Sequence, residues 1–222
     1  MRNNQRRTGQ GPESAPNPSV PTAHQPATLA FSAPTEFVEL PSRGEFYAED
    51  HPFYKQETVE IRFMTAKDED ILTSEALLKK NLALDRLLEN LILGDVDPSS
   101  LLLGDRNAIL IAARASAYGS DYPVTLRCEK CLSTTDIDYN LKEAQTQENC
   151  FDKQFLREEG IKFNRQTLTF DVTLPTSGVE VGVQLLNGQK ERKILERENN
   201  KNLITGILSS FLVKVSGDTD YE

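Results

Sequence analysis

Val59-Glu60-Ile61-Arg62-Phe63 runs through Met64 into Thr65-Ala66-Lys67-Asp68-Glu69, and this stretch decides the fold. Its first five residues alternate apolar and charged, the pattern of a half-buried strand with Val59, Ile61 and Phe63 turned inward. Thr65 with Asp68 three residues on makes a variant of the capping box, which predicts a helix from Ala66 to about Leu78. Just upstream, Phe37, Val38 and Leu40 lead into Leu40-Pro41-Ser42-Arg43-Gly44. This is a strand entering a turn, where Pro fixes φ and Gly permits a positive one. The region 36–80 therefore reads as a strand–turn–strand–helix unit.

The same form returns later in the chain. Leu174-Pro175-Thr176-Ser177-Gly178 repeats the first turn, and Val59, Ile61, Phe63, Thr65 and Glu69 fall on Val181, Val183, Leu185, Asn187 and Glu191 at a constant offset of 122 residues. The first copy carries about 12 extra residues after its turn glycine, an aromatic-containing loop from Glu45 to Phe53 and beyond. The expected fold class is α+β, a pseudo-duplicated pair of such units at 36–80 and 168–213 around a helical segment and a Cys-tipped β-hairpin. The helical segment, 81–119, begins with Leu84, Leu87, Leu88, Leu91 and Ile92, an apolar stripe of helical period. Asp97-Pro98 starts a short helical turn stopped by Gly104, and Asp105 caps an Ala-rich helix through Tyr118, closed by Gly119. In 120–141 the period changes to two, in Tyr122 to Leu126 and Ile137 to Leu141, with Cys128-Glu129-Lys130-Cys131 near the tip. A polar stretch, 142–160, holds Cys150 and one short helix. Strands at 168–174 and 179–185 and helical patterns at 190–199 and 203–213 follow.

Residues 1–34 hold six of the eleven prolines, mixed with Gln, Asn, Ser, Thr and Gly, and have no apolar period. This predicts a disordered N-terminal arm ahead of one α+β domain, 35–222. The net charge is −9 over 222 residues, and Arg2, Arg6 and Arg7 against Glu13 give the arm +2, leaving −11 for the rest. An acidic body argues against a nucleic-acid partner held through its phosphates. Three cysteines and no signal-like apolar stretch in the first thirty residues point to a reducing compartment, the cytoplasm. No apolar run approaches the roughly 20 residues that span a bilayer.

Cys128 and Cys131 have the spacing at which two thiolates hold one tetrahedral metal, and a strand tip is where zinc knuckles sit. A closed site needs four ligands, so Cys150 would be the third, with a carboxylate or His51 as the fourth. The alternatives are a redox pair and a degenerate knuckle with free thiols. There is no GxGxxG, no phosphate loop and no nucleophile–base pair, so neither a catalytic residue nor a bound cofactor is expected. Asp68-Glu69-Asp70 belongs to the first turn of a helix, where negative charge is favourable. Asp105, Arg106 and Arg114 read as cap and ion-pair residues of the helical layer. Tyr47 and Phe53, in the loop, are the expected partner contacts, together with the arm.

Leu40-Pro41-Ser42-Arg43-Gly44-x-x-Tyr47, the strand Glu60 to Ala66 running into Glu69, Asp105-Arg106, Arg114 with Tyr118-Gly119, and Cys128 with Cys131 occur in this order over residues 36–141. In that order and spacing the chain resembles the baseplate hub family of T-even-type contractile-tailed bacteriophages. The resemblance implies a small late protein of virion morphogenesis, a hub subunit or hub assembly factor that contacts other hub and tail proteins. It implies residence in the host cytoplasm during assembly and in the tail baseplate afterwards. It offers no catalytic residues. A second expectation, a zinc-knuckle adaptor or regulator, rests on the cysteines, and an enzyme using surface carboxylates is a third with no motif behind it.

Overall fold

The computed structural model describes residues 34–143, 153–197 and 203–217. In chain order these hold strands β1 (Thr35–Glu39) and β2 (Thr58–Arg62) and helices α1 (Ala66–Thr73), α2 (Glu75–Leu78), α3 (Ala83–Leu91) and α4 (Leu103–Tyr118). Strands β3 (Asp121–Arg127) and β4 (Thr134–Asn140), then helix α5 (Lys153–Glu158), come next. Strands β5 (Lys162–Asn164), β6 (Thr169–Thr173) and β7 (Glu180–Gln184), helices α6 (Gly188–Arg197) and α7 (Leu203–Phe211), and strand β8 (Leu212–Val215) complete them. The fold class is α+β, with β1–β2, β3–β4 and the four-stranded meander β5-β6-β7-β8 all antiparallel. The arm and Cys150 lie outside the described residues.

The two units share one register. Val38 faces Val59 and Thr35 faces Arg62, while Val172 faces Val181 and Thr169 faces Gln184. Their turn glycines adopt the same left-handed conformation, φ 67° at Gly44 and 68° at Gly178. In each unit the strand end is tied to the first turn of the next helix. Both Arg62 guanidinium nitrogens donate to the Asp68 carboxylate at 2.8 Å, and at the matching positions Lys190 Nζ donates to Gln184 Oε1 at 2.5 Å. Thr65 and Asp68 form the expected capping box, and Asn187 Oδ1 accepts the Lys190 N–H at 3.0 Å in the same role. The correspondence continues beyond the helices that the sequence marks. Helix α3 packs on α1 as α7 packs on α6, and the residues after each return to the sheet edge. Ile92 bridges to Ile61, and Leu212, 120 residues on, pairs with Val183.

The segment between α3 and α4 locks the units together. Leu103 N–H donates to the Leu186 carbonyl at 3.0 Å, and Gly188 N–H donates to that of Leu101 at 3.2 Å. Arg106 extends across this seam to Asp85 at 2.7 Å and Glu191 at 2.8 Å, and Arg192 also pairs with Asp85. A Cβ on Gly188 would lie 2.9 Å from Arg106 Nη1 and 3.2 Å from the Ser99 backbone, so any side chain there would press on the seam. The core gathers on the first unit, where Val38, Val59, Ile61, Leu87, Leu88 and Leu91 pack with Leu101, Ile109 and Ala113. Burial of so many branched side chains, at about 1.5–3 kcal/mol each, is the main stabilising term.

Several expectations are corrected. The helix expected from Ala66 to about Leu78 breaks at Ser74, which is extended (ψ 108°), because the Thr73 hydroxyl donates back to the Glu69 carbonyl at 3.0 Å at its end. Helix α4 begins two residues before Asp105 and Gly104 lies inside it, since the Leu186 carbonyl satisfies the Leu103 N–H and no side-chain cap is needed. The helical pattern ending at Val213 turns into strand β8 at Leu212, where the β7 edge offers pairing. Strand β5 had no alternation long enough to read.

Gly44 and Gly178 separate conformational strain from space. A Cβ at Gly44 would lie 2.3 Å from the Phe53 carbonyl oxygen and 2.4 Å from Gln56 N, while at Gly178 it meets nothing within 4 Å. Gly44→Ala should cost about 2–4 kcal/mol and Gly178→Ala about 1 kcal/mol by urea denaturation. Equal costs would show that the loop yields.

The Arg62–Asp68 pair makes the first unit sensitive to acid. Burial alone would raise the Asp68 carboxyl, but the Arg62 guanidinium and the Thr65 N–H and hydroxyl outweigh it and bring the pKa from 3.8 to about 2. A depressed folded-state value contributes stability above the unfolded value that is lost as pH falls through the folded one. Asp68→Asn should be less stable than the wild type by about 2 kcal/mol near neutral pH, and the gap should close as pH falls to about 2. A gap that stays constant with pH would overturn this assignment.

Candidate functional site

The β3–β4 hairpin is the part of the described chain with least support. A two-stranded ribbon is marginal by itself, and along both strands only Val124 and Ile137 are partly buried. Its register puts Tyr122 opposite Tyr139, Val124 opposite Ile137 and Leu126 opposite Thr135. Because cross-strand partners point to the same side, these six form one uncharged face. Asp121, Arg127, Asp136 and Asp138 fall on the other, where Thr125 Oγ1 donates to Asp136 at 2.7 Å. Tyr122 is 44% exposed, Leu126 46% and Tyr139 49%. At the base, the Arg114 guanidinium lies over the Tyr118 and Tyr122 rings at 4.9 and 5.7 Å and donates to the Gly119 carbonyl, which fixes the angle at which the ribbon leaves α4. A contiguous exposed apolar face with charge on its reverse is what a protein-docking surface looks like.

The tip is a tight turn closed by Cys128 N–H donating to the Ser133 carbonyl and Leu132 N–H to that of Cys128, each at 2.9 Å, with Leu132 at φ 61°. Cys128 and Cys131 are free and exposed. Cys131 Sγ lies 3.0 Å from Ser133 Oγ, and the Ser133 hydroxyl, its N–H and Cys128 bring the Cys131 thiol down to about 7. Cys131 can therefore offer a thiolate near neutral pH. Among the described residues no group of three His, Cys, Asp or Glu side chains has metal-site geometry. Cys150, the expected third ligand, lies outside them. His51 is engaged elsewhere, with Nε2 2.9 Å from Ser100 Oγ, Nδ1 accepting from Phe53 N–H, and its ring stacked on Tyr47 at 4.2 Å. Burial holds it below the usual histidine range against the pull of Asp50, Asp105 and Asp97.

Tyr47 and Phe53, expected on a partner surface, are inside the core at 4% exposure each. The loop folds inward because the Tyr47 hydroxyl has a partner there, donating to Asp105 Oδ2 at 2.7 Å and accepting from Leu102 N–H at 3.1 Å. Burial first, and then the Asp105 carboxylate, pushes this phenol far above its ordinary value. Ser42 completes the cluster, giving Asp105 its N–H at 2.9 Å and its hydroxyl at 2.5 Å. From the sequence Asp105 reads as a cap. The available signal was a serine and a tyrosine on a turn beside a carboxylate in an otherwise apolar layer.

A family model described as T4 bacteriophage base plate protein matches residues 33–177, a span from β1 through α4 and the hairpin to the turn after β6. No curated protein and no solved structure matches the chain. The matched span is well over half of the chain and takes in both the buried Asp105 cluster and the exposed ribbon, and on that ground the chain belongs to the T4 bacteriophage base plate protein family.

Proposed function

We propose that this protein is a subunit or assembly factor of the central hub of the tail baseplate, acting through protein–protein contacts with no small-molecule turnover. The observation that carries the reading is the uncharged face of the β3–β4 ribbon, on a member of a baseplate protein family. With a net charge of −9, like-charged tail proteins would be repelled over most of this surface, and a face without carboxylates favours one apolar complement. The partners in this reading are other hub and tail proteins, not nucleic acid. In this reading the protein assembles in the host cytoplasm and resides in the virion baseplate; no described helix is long and apolar enough to cross a membrane.

Co-expression with the neighbouring tail proteins of its genome, purification through a tag on this chain and mass spectrometry provide the test. Hub or tail-tube proteins should co-purify, and Tyr122→Asp with Tyr139→Asp should lower their recovery at least about tenfold. Absence of any tail protein from the purified material would sink the proposal.

A second reading, a zinc-knuckle adaptor, is favoured by the accessible thiol pair and the lowered Cys131 thiol. It requires Cys150 and a fourth ligand to join Cys128 and Cys131. Elemental analysis of the same material decides it. One zinc per chain, lost with partner binding in Cys128→Ser, would establish it, and a metal-free complex would leave the knuckle as a turn.

A further inference from the structure

The internal duplication supplies a template for what covers each unit. In the first unit the α3 side chains Leu87, Leu88 and Leu91 are 3%, 0% and 0% exposed, sealed in one cluster with Ile109 and Ala113 of α4. Their counterparts 120 residues on, Ile207, Leu208 and Phe211, occupy the same stripe of α7. Yet Ile207 and Phe211 are only partly buried and Leu208 is 48% exposed. Among the described residues no second α4 stands over them.

Helix α4 itself has a further face. Away from Ile109 and Ala113 it borders an apolar groove of about 700 Å³, lined by Pro41, Phe63, Ala108, Ile111, Ala115 and Leu141. Glu36 Oε1 is buried in that lining without a hydrogen-bond partner among the described residues, so an occupant that brings a donor is favoured. Helix α7 carries no charged residue, and its Ser209 is exposed, with a hydroxyl that donates to the Gly206 carbonyl at 3.0 Å and must turn outward to serve Glu36. The groove wall from Gly104 to Ala115 runs about 17 Å and the nine residues of α7 about 14 Å at the helical rise. The two surfaces match in length, in the pairing of large side chains with small ones, and in electrostatics. The groove carries one charge of each sign, Glu36 and Lys142, and α7 none, so copies of an acidic chain meet there without repulsion.

We propose that α7 of one copy docks in the α4 groove of a second copy, a head-to-tail contact in which the second copy supplies to α7 the cover that α4 gives α3. This does not rest on the baseplate reading and is tested on the purified chain alone. Light scattering across a concentration series should show the mass rising beyond the monomer. Leu208→Glu and Ile111→Glu should each hold it at monomer, while an equimolar mixture of the two should stop at dimer, because each variant keeps one intact surface. A wild type that stays monomeric overturns the proposal, and so does a mixture that fails to pair while the wild type associates. Both positions are exposed, 48% and 40%, and Leu208→Gln with Ile111→Gln replaces the pair should either melt reveal a lost fold.

Discussion

The carboxylate of Asp105 is the constraint on which the first unit depends. It is fully buried in the first turn of α4 and accepts the Ser42 N–H, the Ser42 hydroxyl and the Tyr47 hydroxyl. A buried charged group is tolerated only when its acceptor capacity is filled. Filling it here holds the turn after β1 against α4, folds the loop inward, and brings Phe46 onto Phe163 of β5 and Phe170 of β6 at 5.2 and 5.4 Å. Its neighbour Arg106 instead reaches Asp85 and Glu191. Two adjacent residues of opposite charge thus clamp the loop and the seam between the units.

What could be read from the sequence were the features governed by local rules. The alternation at Val59 to Phe63, the Thr65–Asp68 box and the Asp97–Pro98 turn all reappear, because each depends on neighbours within a few positions. The β3–β4 hairpin was legible for the same reason. What escaped depends on distant partners. Asp105 looks like a cap until Ser42 and Tyr47, 63 and 58 residues away, are brought to it. Tyr47 and Phe53 look like surface aromatics until the loop folds in, and β8 looks like the end of a helix until the β7 edge is in place.

The duplication is conservative in geometry and free in chemistry. Strand register, turn conformation and the tie between strand end and helix start are kept, while the tie changes from an arginine–aspartate ion pair to a lysine–glutamine hydrogen bond. The backbone imposes the requirement that some long donor reach some acceptor there, and either arrangement meets it. The burial of the two units has diverged much further, with the first enclosed by α4 and the second left open along α7.

The hairpin face has one practical consequence. The chain contains no tryptophan and six tyrosines, of which Tyr47 is buried while Tyr118, Tyr122 and Tyr139 are exposed. Half of the tyrosines therefore lie on the ribbon and its base, and intrinsic fluorescence is sensitive to that region. Any protein that closes over that face changes the tyrosine emission, and a tryptophan on the incoming side would accept energy from it. The protein carries its own optical probe at the surface where docking is expected, with no label to disturb the contact.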